Sequence, residues 1–199
     1  MCAAARDEII RRYYSTLCGV RKNENDPAEV GKLELLMQQA GVTTEDRPVC
    51  AAALEKEMLT GAPAVAIELA DGRIVTGKTS SLLGASAAAM LNALKTLGGI
   101  QDDIHLISPL IIEPIQDLKV NHLGNHNPRL HTDEILIALS ICAATNPTAE
   151  LAMQQIQKLE GCEAHSTVIL AQVDDKVFKR LGMNLTCEPV YQTKKLYHR

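Results

Sequence analysis

The sequence predicts an α/β protein, with a three-layer α-β-α mixed sheet preceded by an N-terminal helical segment. In roughly the first 60 residues, apolar side chains recur with helical spacing, as they do across residues 3–18. After Pro63, short β-prone runs alternate with helical stretches. Strands separated by helices favour a mostly parallel sheet with helices on both faces. We therefore predict a helical segment over residues 1–47 and an α/β domain over residues 48–199.

The helical segment has recognisable helix boundaries. Residues 3–18 form the first predicted helix. Asp26 and Pro27 are typical of an N-cap and of the first helical position, and Gly41 is typical of a helix end. A third helix, over residues 48–59, is the first element of the predicted α/β domain.

The predicted sheet begins with a hairpin. Asp71-Gly72 is a strong turn signal between two β-prone runs, residues 65–69 and 73–76. This antiparallel pair makes the predicted sheet mixed. Further strands are predicted at residues 104–107, 167–170 and 184–187. Further helices are predicted to begin at Ser80 or Ser81, at Pro114, at Thr132, at Asn146-Pro147 and at residue 174.

The charge balance excludes some classes of partner. Twenty Lys and Arg residues against 24 Asp and Glu residues give a net charge of −4, which provides no general attraction to nucleic acid or anionic lipid. The longest apolar run, residues 135–144, is about half of what a membrane span needs. We therefore predict no nucleic-acid partner, no membrane partner and no cofactor.

The six cysteines indicate a reducing environment. They form no Cys-x-x-Cys pair, so their spacing indicates neither a zinc knuckle nor a dithiol redox centre. Scattered cysteines in a chain of this length are typical of small buried apolar residues that stay reduced. The N-terminus carries Arg6 and Asp7 instead of an apolar signal core. These features predict a cytoplasmic location.

Residues 72–79 match the phosphate-binding P-loop pattern G-x-x-x-x-G-K-[ST]. That motif needs its middle residues in a loop, where consecutive backbone N–H groups surround a phosphate. Here Gly72 belongs to the hairpin turn, and the residues after it form the predicted return strand. A strand donates its N–H groups to a neighbouring strand, so we predict a hairpin and no nucleotide-hydrolysing loop.

Residues 64–77 resemble the opening hairpin of the cytidine deaminase superfamily, and the order of elements fits that fold over residues 48–188. Deaminases of this superfamily bind zinc through His or Cys, with a neighbouring Glu, and a Pro-Cys-x-x-Cys sequence at two adjacent helix starts. Residues 80–88 contain no His, Cys or Glu, and Leu110 and Glu113 stand where the two cysteines would be. The resemblance therefore implies a cytidine-deaminase-like fold without the zinc site, and we expect no bound zinc.

A second resemblance covers nearly the whole chain. The strings RDEIIRRYY (6–14), TGKTSSLLGAS (76–86), NHNPRLHTDE (125–134) and YQTKKLYH (191–198) resemble the C-terminal part of the bacterial domain-of-unknown-function family numbered 1846. The resemblance implies no established activity. Members of that family are much longer than this chain, so it also implies that part of an active site can lie in their N-terminal half.

A polar segment between residues 121 and 134 is the main candidate site. We predict that Arg129 clamps a carboxylate or phosphate, that Asn125 and Asn127 orient it, and that His131 with Asp133 forms a catalytic proton-transfer pair. Ordinary turn and capping chemistry is the alternative interpretation, because Asn and Asp bond readily to nearby backbone. Metal binding is a further alternative, although His122, His126 and His131 match no helical ligand spacing.

A second polar segment directly follows the predicted hairpin. Lys78, Thr79, Ser80 and Ser81 precede a helix whose positive end favours anions. Simple N-capping by the two serines is the alternative interpretation. In open α/β sheets ligands lie beyond the carboxyl ends of strands, so we expect this segment and the one around Arg129 to meet in one substrate-binding cleft.

Two function classes remain open at this point. One is a zinc-free enzyme or binding domain for a small anionic metabolite, either phosphorylated or carboxylated. The other is a non-catalytic assembly module of a larger protein, in which the chain forms a homo-oligomer or contacts the missing N-terminal half of the family architecture. For self-association we expect Tyr13, Tyr14 and Leu17 of the first helix to be exposed.

Overall fold

The computed structural model describes residues 2–192; Met1 and residues 193–199, which include most of the last family-like string, lie outside the described part. Eight α-helices are described: α1 (Ala3–Arg21), α2 (Pro27–Ala40), α3 (Pro48–Thr60), α4 (Ala85–Leu97), α5 (Pro109–Asp117), α6 (Thr132–Ala143), α7 (Pro147–Met153) and α8 (Gln172–Arg180). Four strands are described: β1 (Ala64–Glu68), β2 (Ile74–Lys78), β3 (Glu163–Ser166) and β4 (Asn184–Cys187). Short helical turns cover Thr44–Asp46, Leu118–His122 and Ile156–Leu159.

The four strands form one mixed sheet in the order β2-β1-β3-β4. Strand β1 is antiparallel to β2, with Val65 opposite Gly77, and antiparallel to β3, with Ala66 opposite His165. Strands β3 and β4 are parallel. The structure therefore confirms an α/β protein with a mixed sheet and an N-terminal helical segment. The prediction that most strands are parallel is wrong, because two of the three described strand pairings are antiparallel. The likeness to the cytidine deaminase fold stays a prediction.

Side chains of β1 alternate between two hydrophobic cores, because successive residues of a strand point to opposite faces. Val65 and Ile67 belong to the larger core, which includes buried residues of α4, α6 and α8. Ala66 belongs to a second core formed with α1 and α3. Helices thus cover both faces of the sheet, in the predicted three layers. The domain division at residue 47 stays a prediction.

Two predicted strands are wrong. Residues 104–107 form no strand, although Leu106 and Ile107 are buried; a short apolar run indicates burial and cannot by itself distinguish a strand from a buried loop. The predicted strand at residues 167–170 lies four residues earlier, as β3. Strand β3 lacks the apolar pattern that predicts a strand from sequence. Its Glu163 and His165 side chains instead form polar contacts of 2.8 Å, with Arg47 and Thr186 respectively.

Several predicted helix boundaries need correction. Helix α4 begins at Ala85 after Gly84, so neither Ser80 nor Ser81 caps it; the Ser80 hydroxyl instead accepts hydrogen bonds from two backbone N–H groups of the following turn, at 3.2 and 3.1 Å. The helix predicted from Pro114 begins at Pro109 and contains Pro114. The N-cap of α6 is His131, one residue before the predicted Thr132. The predicted caps of α2 and α7 are confirmed.

The P-loop interpretation is excluded by the hairpin geometry. Gly72 has a positive φ of 82° in the turn, and Ile74–Lys78 is the return strand β2. A glycine is required at position 77 for helix packing and not for contact with a phosphate. A Cβ atom at this position would lie 2.1 Å from the backbone nitrogen of Ala89, so α4 packs directly on the strand backbone.

The expectation that the first helix exposes Tyr13, Tyr14 and Leu17 is wrong. Tyr14 is buried, and its ring centroid lies 4.7 Å from that of His165. Tyr13 and Leu17 are partly buried against the second core. The apolar side of the first helix thus covers the sheet. Among the helices of residues 2–192, none is long and apolar enough to cross a membrane.

Candidate functional site

A cavity of about 420 Å³ lies where the N-terminal ends of α4, α6 and α8 meet. Five of the predicted site residues line it: Thr79, Asn125, Asn127, Arg129 and His131. Its wall also includes residues that the sequence did not suggest, among them Ser86, Leu170, Gln172 and Asp174. The two predicted polar segments therefore share one cavity, although not all of their members reach it.

Backbone hydrogen bonds join these two segments. Gly84 N donates to Leu130 O at 3.1 Å, and Leu130 N donates to Leu82 O at 3.0 Å. Below them, the buried Lys119 ammonium donates to Arg129 O and to the Glu134 carboxylate, both at 2.7 Å. The loop before α6 is thus held against the loop before α4. These contacts fix the positions at which both helices begin.

His131 forms a carboxylate–imidazole pair with Asp174 at the wall of this cavity. Its Nδ1 lies 2.8 Å from Asp174 Oδ2. The other carboxylate oxygen accepts hydrogen bonds from Thr132 N at 2.8 Å and Thr132 Oγ1 at 2.6 Å. Asp174 is buried, while His131 is partly exposed on the cavity wall. Among residues 2–192, His131 Nε2 has no hydrogen-bond partner.

The pair shifts both pKa values in the directions that favour an ion pair. The hydrogen bond to Asp174 raises the pKa of His131 above its ordinary value of 6.5, although burial acts in the opposite direction. Burial raises the pKa of Asp174, but the hydrogen bonds from His131 and Thr132 outweigh it and bring that pKa below its ordinary value of 3.8. An imidazolium at this position is therefore stabilised near neutral pH.

Arg129 contributes a positive charge to the cavity wall. Its Nε donates to Ser80 O at 2.7 Å, which fixes the side chain across the two loops. Its two terminal nitrogens have no hydrogen-bond partner within residues 2–192. Asn127 Oδ1 accepts a hydrogen bond from Arg129 N at 3.1 Å, so this asparagine also stabilises the turn.

Ser86 is a cavity residue in the first turn of α4. It is only 2% exposed, and its hydroxyl has no hydrogen-bond partner in the described part of the chain. The first hydrogen bond of the helix runs from Ala88 N to Gly84 O. The three preceding N–H groups, those of residues 85–87, have no partner among the described residues. This helix end therefore presents several unused donors at the cavity.

The remaining predicted site residues do not line the cavity. Lys78, Ser80 and Ser81 are exposed, and only the Ser80 carbonyl takes part, as the acceptor for Arg129. The predicted pairing of His131 with Asp133 is wrong, since Asp133 Oδ1 accepts from the adjacent Glu134 N at 2.8 Å. Asp side chains at helix starts can bond nearby backbone N–H groups, and Asp174 is the carboxylate that contacts His131 instead.

Sequence reasoning missed Asp174 and Ser86 for different reasons. Asp174 lies 43 residues from His131, and the predicted helix start at residue 174 gave no sign of which loop it would contact. Ser86 lies in an alanine-rich helical stretch, where a serine carries no particular signal. Within residues 2–192, no group of three or more His, Cys, Asp or Glu side chains is placed to hold a metal ion.

Comparison with known proteins agrees with the family resemblance. Residues 45–197 match the family described as "Domain of unknown function DUF1846, C-terminal". A UPF0371 protein of Corynebacterium efficiens is 55% identical over 196 residues, which are 98% of this chain and 40% of that relative. UPF0371 proteins of Corynebacterium urealyticum and Streptococcus pyogenes serotype M5 are each 54% identical over 98% of this chain, covering 39% and 40% of those relatives.

The chain thus spans about two fifths of the length of these curated relatives. The match to the family covers most of the chain, and the identity of the relatives extends over nearly all of it. The chain therefore belongs to the DUF1846 family and contains its C-terminal domain.

Proposed function

We propose that the cavity between α4, α6 and α8 binds a small anionic metabolite, phosphorylated or carboxylated, and that His131 transfers a proton to or from it. One observation carries this proposal. An imidazole oriented by a buried carboxylate lies on the same cavity wall as an arginine whose terminal nitrogens are unpaired. Such a combination of a proton-transfer group and an anion clamp suits a substrate-binding site.

His131 has the geometry of a general acid–base group. With Nδ1 bonded to Asp174, the imidazole keeps Nε2 for the ligand, either as a lone pair that accepts a proton or as an N–H that donates one. The raised pKa of His131 increases the protonated fraction near neutral pH. The protonated form also attracts an anion, so binding and proton transfer depend on the same side chain.

Arg129 supplies the charge that selects an anion. Its Nε is already used by Ser80 O, which leaves the two terminal nitrogens in a fixed orientation. A guanidinium held in this way loses little side-chain freedom on binding and can contact two oxygens of a carboxylate or phosphate. Asn125, whose side chain has no hydrogen-bond partner among residues 2–192, adds an amide at the same wall.

A thermal-shift screen with millimolar phosphorylated and carboxylated metabolites tests the proposal. A ligand present at about 100 times its Kd stabilises the folded state by about 2.7 kcal/mol, which for a chain of this size raises Tm by roughly 5–10 °C. We expect at least one anion to do so. Arg129→Ala should remove most of this shift, because the variant lacks the charged clamp.

Arg73→Ala is the matched control for Arg129→Ala. Arg73 lies in the β1–β2 turn, where its charge is paired with Asp71 at 2.7 Å, and it is absent from the cavity wall. We expect this variant to keep the full ligand-induced shift. Equal shifts in both variants would show that Arg129 does not clamp the ligand, and a screen in which no anion stabilises the chain would contradict the proposal as a whole.

Assembly with another polypeptide is a second candidate function. On the outer side of α6, Ile137 and Ile141 are 62% and 66% exposed, and large exposed apolar side chains favour association. Light scattering of the purified chain tests self-association, since a monomer at high concentration would contradict it. The six free thiols support our further proposal that the chain functions in the reducing cytoplasm.

A further inference from the structure

We propose that the N-terminal end of α4 binds a phosphoryl group, so that the metabolite is a phosphate monoester rather than a carboxylate. This inference rests on the proposed function of the cavity and adds the class of its ligand. It is carried by unpaired hydrogen-bond donors at the start of α4, where Ala85 and Ser86 line the cavity.

The first observation concerns the backbone of α4. The N–H groups of Ala85, Ser86 and Ala87 have no partner among residues 2–192, and the three residues are 5%, 2% and 0% exposed. The first N–H groups of a helix have no intrahelical partner and usually bond an acceptor from elsewhere, which for these three donors a ligand would supply. Ala85 and Ser86 also line the cavity, which places that acceptor inside it.

The second observation is the Ser86 hydroxyl. This side chain is almost fully buried, lines the cavity and has no partner within the described part of the chain. Neighbouring Gly84 leaves space in front of it, because a Cβ atom there would lie 3.8 Å from Ser86 Oγ and 3.6 Å from Leu130 O. A hydroxyl donor thus adds to the backbone donors at the same end of the cavity.

The number of donors favours phosphate over carboxylate. The site offers three N–H groups, one hydroxyl and the terminal nitrogens of Arg129. These donors outnumber the acceptor positions on the two oxygens of a carboxylate. A phosphate monoester has three terminal oxygens and close to two negative charges at neutral pH. The 13-residue helix α4 adds the positive end of its dipole to this site.

Isothermal titration of the chain with inorganic phosphate tests the inference. We expect saturable binding at one site. Ser86→Ala should weaken it about tenfold, since one hydrogen bond to a charged group is lost. Ser86→Asp should abolish binding, because its carboxylate would occupy the anion site, while an acidic residue in the first helical turn should leave the helix intact.

Ser108→Ala is the control for these serine variants. The Ser108 hydroxyl accepts a hydrogen bond from Leu110 N at 3.3 Å at the start of α5, and Ser108 is absent from the cavity wall. We expect unchanged phosphate binding. Should Ser86→Asp fail to fold, backbone NMR of the unmodified chain replaces it: the amide resonances of residues 85–87 should move on addition of phosphate.

The outcomes separate this inference from the proposed function. If carboxylated metabolites stabilise the chain and depend on Arg129, but phosphate neither binds nor moves the amides of residues 85–87, the phosphoryl site is wrong and the anion cavity stands. If phosphate binds equally well to the unmodified chain and to Ser86→Ala and Ser86→Asp, it binds elsewhere and the inference fails. If no anion of either class binds, both are wrong.

Discussion

Replacing Asp174 by asparagine is expected to lower the free energy of unfolding by about 3 kcal/mol, as for other buried charge pairs that lose one partner. Asp174 accepts hydrogen bonds from His131 Nδ1, Thr132 N and Thr132 Oγ1, all between 2.6 and 2.8 Å. An asparagine offers only one accepting oxygen, and its NH₂ group faces donors that it cannot satisfy. Urea unfolding at about pH 5 measures the loss.

The loss should depend on pH in a defined direction. The raised pKa of His131 means that its contribution is complete below 6.5, the ordinary pKa, and is lost as pH rises through the folded-state pKa. The lowered pKa of Asp174 means that its contribution is present above 3.8 and is lost as pH falls through the folded-state pKa. The difference between Asp174→Asn and the unmodified chain should therefore be largest between these two ordinary values and smaller in alkaline solution.

Asp175→Asn is the matched control for Asp174→Asn. Asp175 is the next residue of α8 and forms a salt bridge with Lys179 at 2.7 Å, in which the lysine side chain is 68% exposed. Exposed pairs of this kind contribute about 0.3–0.5 kcal/mol, so this variant should be nearly neutral. Similar losses in the two variants, or a loss for Asp174→Asn that is the same at all pH values, would contradict the assigned ion pair.

Gly77→Ala is expected to destabilise the chain by about 4 kcal/mol or to prevent folding, which places it among the largest effects of single substitutions. The added methyl group would lie 2.1 Å from Ala89 N and 2.6 Å from Ala89 Cα. Both contacts are with backbone, which cannot rotate away, so α4 would have to move off the sheet. Because α4 forms one side of the cavity, this variant should also lose ligand binding when it folds.

Lys78→Ala separates this account from the P-loop interpretation. In a P-loop, the lysine next to the last glycine contacts the phosphates, so its loss would abolish binding. In the hairpin, Lys78 is an exposed residue at the end of β2, and we expect a change in stability within about 0.5 kcal/mol and unchanged anion affinity. Circular dichroism melting and the thermal-shift screen measure both properties, and loss of anion binding in a well-folded variant would contradict this assignment.

The parts of the fold that the sequence predicted correctly depend on local chemistry. Asp71-Gly72 forms the predicted turn, and Asp26 and Asn146 accept hydrogen bonds from the first N–H groups of their helices. The errors occur where tertiary contacts override local pattern. Strand β3 is stabilised by polar contacts of Glu163 and His165, and these contacts with distant residues leave no periodic signal in the sequence.

The candidate site was predictable only in part, for a similar reason. Polar density between residues 121 and 134 drew attention to Arg129 and His131, which both line the cavity. The packing of α8 beside α6 decides which carboxylate orients His131. The sequence suggested Asp133 only because it lies close to His131 along the chain. The sequence could not reveal the unpaired N–H groups of α4. The helix was predicted to begin at Ser80 or Ser81, and moving its start to Ala85 changes which N–H groups lack a partner.

The most direct test of the anion cavity is the NMR signal of the His131 ring during titration with a panel of phosphate and carboxylate anions, at a pH near the His131 pKa. We predict that at least one anion shifts this signal saturably and raises the His131 pKa further, because a bound negative charge favours the imidazolium. The same titration of Arg129→Ala should give a much weaker response. A His131 signal that stays unchanged at tens of millimolar of every anion would contradict the central claim that this cavity binds an anionic metabolite next to a proton-transfer group.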